Sequence, residues 1–188
     1  MKADEGTRPP EDGTVYSRRK GFCPFSAPKV EAYAPIVGEE RIERLLRAAK
    51  RLRGIKLLEI NSSAQGGGVA EMLFSTIPFL NNLGIEAEWK VIRGSREYFE
   101  ITKTLHNLLQ GKEGELTPDM KELYLCTLEE CANADLIDYE PNVVTVHDPQ
   151  PLGLTRFLKK HGENWLWRCH IDCAVESLKA NPLSLIHI

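Results

Sequence analysis

The chain has 188 residues, 42% of them hydrophobic and 27% charged, with a formal net charge of −3. That apolar fraction excludes a disordered chain, and no run approaches the roughly 18 apolar residues of a membrane span. The near-neutral charge, without a basic run, argues against nucleic acid as a partner.

The polar start, with no signal peptide, and five cysteines (Cys23, Cys126, Cys131, Cys169, Cys173) lead us to expect free thiols and a cytoplasmic location. A homo-oligomer is left open.

Residues 1–37 hold five of the eleven prolines and little apolar periodicity, so they are expected to form an extended N-terminal segment. Ile42, Leu45, Leu46 and Ala49 recur at helical spacing and predict a helix over 38–53. Residues 55–60 predict a strand, 61–68 a glycine-rich loop, and 69–83 a helix kinked or ended early by Pro78. Alternation of Ile85, Ala87, Trp89 and Val91 with Glu86, Glu88 and Lys90 predicts a strand near a sheet edge, with one wetter face.

Helices are expected at 95–110 and 118–135, the second with Thr117 as N-cap and Pro118 in its first turn. Residues 142–146, between Pro141 and Pro149, read as a buried parallel strand. A helix at 151–161 and a strand at 165–171 follow. This alternation predicts an α/β fold with a parallel sheet and flanking helices.

About four strands is short for such a sheet, which typically has about 5–6. The last six residues, Leu183-Ser184-Leu185-Ile186-His187-Ile188, match one reading frame of a common transposon-end sequencing adapter. We therefore expect residues 38–182 to be a truncated domain and 183–188 a non-native tail.

Three segments carry candidate chemistry. The loop Asn61-Ser62-Ser63-Ala64-Gln65-Gly66-Gly67-Gly68 opens a helix, where glycines allow close backbone approach and free N–H groups favour an anion. It is neither G-x-G-x-x-G, since Glu71 stands where the third glycine would be, nor a P-loop. A tight strand-to-helix turn is the plain alternative.

His147-Asp148 lies at the carboxyl end of an expected central strand, where open α/β sheets bind ligands. An Asp-Pro helix start explains it equally well. In Trp165-Leu166-Trp167-Arg168-Cys169-His170-Ile171-Asp172, strand alternation puts Arg168, His170 and Asp172 on one side. A salt-bridged edge strand is the plain alternative there.

His147, Asp148, His170 and Asp172 could converge on a metal, but no zinc-type Cys/His spacing occurs, and no metal is expected. Glu88, Trp89 and the helix face with Lys103, His106, Asn107 and Gln110 are lesser candidates.

Taken together, NSSAQGGGVAEML, EAEWKVIRG, EYFEITKTLHNLLQG, VVTVHDPQP and WLWRCHID resemble the trehalose glycosyltransferring synthases, retaining family 4 glycosyltransferases of the GT-B fold. The resemblance spans about residues 40–172 in order. It implies a Rossmann-like N-terminal, acceptor-side domain of a two-domain enzyme. That enzyme would transfer glucose from UDP- or ADP-glucose to glucose, forming α,α-trehalose with retention and without a cofactor.

Carried over by position, Gly66, Gly67 and Gly68 would lie against the donor phosphates, and Asp148 with His147 would hold acceptor hydroxyls. His170 matches a histidine that contacts the donor sugar. Arg168 and Asp172 would line the same wall, and Trp89 could stack on a sugar ring. Cys173-Ala174-Val175 departs from the small polar residue and proline usual in the family. A trehalose phosphorylase, a non-catalytic sugar- or nucleotide-binding module and a metal-dependent hydrolase are the alternatives.

Overall fold

The computed structural model describes residues 28–134, 140–158 and 164–171. After a 3-10 turn at Val30–Tyr33 come α1 (Ala34–Val37), α2 (Glu39–Arg51), β1 (Lys56–Asn61), α3 (Gly68–Asn82), β2 (Glu86–Val91), α4 (Arg96–Leu109) and α5 (Pro118–Asn133). β3 (Val143–His147), a 3-10 turn at Leu152–Leu154, α6 (Thr155–Leu158) and β4 (Asn164–Arg168) follow. The four described strands form one parallel sheet in the order β2-β1-β3-β4. The Rossmann-like α/β reading is thus correct.

That order puts β2 on one side of β1 and β3 on the other, which makes the β1/β3 boundary a topological switch point. The β1–β3 register sets Leu58 beside Val144, Glu59 beside Thr145 and Ile60 beside Val146. Alternate residues therefore serve opposite faces. Leu58, Ile60, Val144 and Val146 are fully buried against Tyr98, Leu105, Leu109, Tyr124 and Leu128 of α4 and α5. Each such side chain contributes about 1.5–3 kcal/mol by burial. On the other face, Leu73 and Ile77 of α3 pack with Ala87, Trp89 and Val91 of β2.

Local chemistry explains the helix ends. The Ser95 hydroxyl accepts from the Tyr98 N–H at 3.1 Å, and the Thr117 hydroxyl from the Met120 N–H at 3.3 Å. Both satisfy otherwise orphaned helix donors. α3 runs through Pro78 to Asn82 rather than stopping at the proline. The Asn81 side chain then bridges to β2, donating to Ala87 O at 2.9 Å and accepting from Ala87 N at 3.2 Å.

Several expectations are corrected. Within the stretch read as extended, Val30–Tyr33 and Ala34–Val37 are helical, and Val30 is buried against α2 and α3 with Tyr33 edge-on to Phe79; residues 1–27 lie outside the described part. β2 is an edge strand of the described sheet, but Glu88 and Lys90 are buried rather than wet. They share a face with Leu58 and Ile60, their register partners, which pack under α4 and α5. Of the helix expected at 151–161, the described part is a 3-10 turn followed by α6 as far as Leu158, and residues 159–161 lie outside the described part.

Two buried tyrosines fix the loop after β3. Their rings stack 5.8 Å apart at 8°, the Tyr98 hydroxyl donates to Gln150 O at 2.6 Å, and that of Tyr124 donates to Pro149 O at 2.9 Å. Burial pushes both phenols above their usual range, so they stay protonated donors. Gly153 closes the loop, its N–H donating to the Tyr124 oxygen at 3.0 Å. A Cβ there would sit 2.8 Å from Leu128 Cδ1 and 2.9 Å from Tyr124 Cε1. Gly153→Ala is therefore expected to cost about 1–3 kcal/mol, read from its urea unfolding midpoint. An unchanged midpoint would contradict the tight packing.

Candidate active site

At the switch point lies a cavity of about 390 Å³ lined by Asn61, Ser62, Ser63, Gly66–Ala70, His147, Asp148 and His170. One wall is the loop between β1 and α3, with Gly66 at φ 69° and Gly67 at φ 93°. Those left-handed torsions suit glycine, and they turn the loop so that α3 starts at the cavity with its first N–H groups uncommitted to the helix. Apart from the adjoining backbone, no atom lies within 4 Å of where a Cβ on Gly66, Gly67 or Gly68 would project.

Trp89 does not reach this cavity. It is 1% exposed, packed edge-on against Phe74 at 5.1 Å, and its indole N–H donates to Asn61 Oδ1 at 2.7 Å. Asn61 in turn donates from Nδ2 to Ser63 O at 2.7 Å. Trp89 is thus a core residue that pins the glycine loop, and not a ring offered to a sugar.

The opposite wall comes from the ends of β3 and β4. Asp148 has φ 63°, the one non-glycine residue with positive φ among those described. Three hydrogen bonds hold it there: its N–H donates to Arg168 O at 2.9 Å, its carbonyl accepts from Trp167 Nε1 at 3.1 Å, and its Oδ1 accepts from His170 N at 2.7 Å. These bonds also end the strand expected to reach 171, since beyond Arg168 the chain bonds to the Asp148 carboxylate instead of the ladder. A carboxylate keeps further lone pairs for ligand hydroxyls.

His147 is 1% exposed and both ring nitrogens are engaged. Nε2 lies 2.6 Å from Glu59 Oε2, and Nδ1 lies 2.8 Å from His170 Nε2. The two imidazoles are near-parallel, with centroids 5.1 Å apart. His147 therefore supports His170, and neither of its nitrogens is open to an acceptor hydroxyl.

Burial lowers the His170 pKa below 6.5, and the neighbouring His147 and Arg168 add to that, while the Asp148 and Glu59 carboxylates oppose it. A depressed imidazole makes the unfolded chain the better proton acceptor below about pH 6.5, so its contribution to stability falls as pH drops through that value. Acidifying from about pH 7.5 to about pH 5.5 is expected to lower the denaturation midpoint less in His170→Gln than in wild type. An equal or larger loss in the variant would contradict that sign.

Arg168 is exposed and outside the cavity lining, and Asp172 lies outside the described residues. Glu88 is buried on the α4/α5 face of β2, away from the cavity, and His106, Asn107, Lys103 and Gln110 belong to α4 and its end. Glu59 was missed. It is 8% exposed and faces His147. Its signal was a lone acid among apolar neighbours in Leu57-Leu58-Glu59-Ile60. Among the described residues, no group of three or more His, Cys, Asp or Glu is arranged to hold a metal ion. No described helix is long and apolar enough to cross a membrane.

A parallel sheet with a glycine loop at its switch point, and buried His147 bonded to exposed His170 opposite, is a Rossmann-like arrangement with its cavity where open α/β sheets bind ligands. Residues 59–183 match the family described as trehalose synthase, N-terminal domain. The chain belongs to this family. It is 49% identical to the trehalose synthase of Pyrococcus horikoshii over 146 residues, 77% of this chain and 34% of that one. It is 40% identical to that of Thermococcus litoralis over 153 residues, 80% and 36% of the two chains. A trehalose phosphorylase of Pleurotus pulmonarius is 31% identical over 142 residues, 70% of this chain and 19% of that one. The chain spans about a third of the length of the curated trehalose synthases it matches.

Proposed function

We propose that this chain is the acceptor-side domain of an enzyme that transfers glucose from UDP- or ADP-glucose to glucose, giving α,α-trehalose with retention. The supporting observation is the switch-point cavity, in which the start of α3 faces Asp148 and His170. Sugar transfer passes through an oxocarbenium-like state while the departing diphosphate gains negative charge. The N–H groups at Gly66, Gly67 and Gly68 stabilise that charge without reorganising. Asp148 accepts hydrogen bonds from acceptor hydroxyls, and His170 contacts the donor sugar. With main-chain donors on the phosphates, the reading calls on no metal or cofactor.

The remaining donor-binding groups belong to residues beyond this chain. The proposed site of action is the cytoplasm, where the free thiols of Cys126 and Cys131 would persist.

The likeness to trehalose phosphorylases favours one other reading, a parent enzyme working with glucose 1-phosphate. The two are separated by assaying the full-length gene product with UDP- or ADP-glucose plus glucose, and with trehalose plus phosphate. The expected result is nucleoside diphosphate release in the first assay, no glucose 1-phosphate in the second, and no turnover in either by the 188-residue chain. Turnover by this chain alone, or phosphorolysis by the parent, would contradict the proposal.

A further inference from the structure

We infer that Glu59 is a positioning residue of the cavity: through His147 it holds His170 with its proton on Nε2, leaving Nδ1 as a hydrogen-bond acceptor for a ligand hydroxyl. The inference rests on the proposed transfer site only for the identity of that ligand. The proton arrangement follows from three side chains linked in series, Glu59 and His147 buried and His170 exposed at the cavity.

The line starts at Glu59 Oε2, 2.6 Å from His147 Nε2. A carboxylate has only acceptor oxygens, so the proton of this bond lies on His147 Nε2 and Glu59 accepts it. A neutral imidazole has one donor and one acceptor nitrogen. With Nε2 donating to Glu59, His147 Nδ1 must accept, and the group facing it at 2.8 Å is His170 Nε2. His170 therefore donates from Nε2, and its remaining nitrogen, Nδ1, carries a lone pair.

The charged groups around His170 are Asp148, Arg168 and Glu59, with His147 beside it. Partial desolvation, with His147 and Arg168, outweighs the two carboxylates and favours the neutral ring that the arrangement needs. Asp148 Oδ1 holds the backbone of the same residue, which fixes where the ring starts. A cavity that offers His170 Nδ1 as acceptor selects a ligand group that donates, such as a sugar hydroxyl. It disfavours a phosphate oxygen, which falls instead to the N–H groups across the cavity. A His147 imidazolium donating from both nitrogens is the rival arrangement, and it would leave His170 protonated on Nδ1 and make it a donor.

The test is long-range 1H–15N correlation of the 188-residue chain labelled on histidine nitrogen, without substrate, at about pH 7.5. Expected are a protonated Nε2 and an unprotonated Nδ1 on both His147 and His170. A protonated Nδ1 on either overturns the inference, whatever reaction the parent performs. Glu59→Gln, which keeps an acceptor oxygen, should preserve the pattern, whereas Glu59→Leu should mix the tautomers of both rings.

In the full-length product, Glu59→Gln should keep kcat/KM within about threefold and Glu59→Leu should lose about tenfold or more, as wrong-tautomer variants of oriented histidines do. Unchanged tautomers in Glu59→Leu overturn the positioning role even if activity falls. If Glu59→Leu does not fold, the wild-type spectrum alone decides. Since the tautomers are read without substrate, this inference and the transferase reading fail separately.

Discussion

Replacing His147 by leucine is expected to destabilise the chain by about 3–5 kcal/mol at neutral pH, because it strands the Glu59 carboxylate in a buried site. Glu59 is 8% exposed, and His147 Nε2 lies 2.6 Å from its Oε2. An ionised carboxylate left there has two outcomes: it remains charged at high cost, or its pKa rises and it takes up a proton. The second makes the penalty depend on pH. A raised folded-state pKa means stability is lost as pH rises through it, so the gap between variant and wild type should widen from acid to neutral pH.

The double variant Glu59→Leu with His147→Leu removes both partners and should recover a large part of the loss, as apolar replacement of buried pairs often does. Urea unfolding of the single and double variants at two pH values checks this. A double variant that costs the sum of the two singles, with no pH dependence, would show that the two side chains do not act as a pair.

The second large effect falls on function. Gly67 has φ 93° and caps α3, and apart from the adjoining backbone a Cβ there meets no atom of the protein within 4 Å. Gly67→Val therefore strains the backbone by about 1–2 kcal/mol, or somewhat more for its branched side chain, without a steric clash inside the fold. The added methyl groups enter the cavity beside the N–H donors at the start of α3. In the full-length product, transfer should fall about 10²–10³-fold, the scale of losing one preorganised donor at a charge-developing centre. Thermal unfolding should drop only modestly. Activity within about twofold of wild type would remove the glycine loop from the phosphate site.

Much of the framework was legible because its determinants are local. The caps at Thr117 and the N1 proline of α5 are statements about the first turn of a helix, and they hold. The apolar run at 142–146 and the alternation at 85–91 gave both strands to within about a residue or two. Pro78 does not end α3, because the proline rule concerns one lost hydrogen bond. Packing of Leu73 and Ile77 against β2, with Asn81 tying the helix end to Ala87, outweighs it.

The site was legible in part. Strand order is set by long-range pairing, yet the position of His147-Asp148 at a strand end and of the glycines after β1 was enough to place both at the carboxyl ends of the strands. Trp89 misled because alternation shows which residues share a face, and not whether that face meets a helix or a ligand; here α3 covers it. Glu59 was hidden for the complementary reason. Its meaning depends on His147, 88 positions away in sequence, coming within 2.6 Å across the β1–β3 pair. The left-handed φ of Asp148 likewise follows from three bonds to β4 and the residues after it, which composition cannot show.

The transfer reading is tested most directly by following the donor carbon. The full-length product is incubated with UDP- or ADP-glucose labelled with 13C at its anomeric carbon, together with unlabelled glucose, and watched by NMR. The expected result is movement of the label into one anomeric carbon of α,α-trehalose, with the α configuration kept. Label appearing in free glucose, in a β-linked disaccharide, or remaining in the nucleotide sugar would contradict sugar transfer at the cleft between the glycine loop and His170.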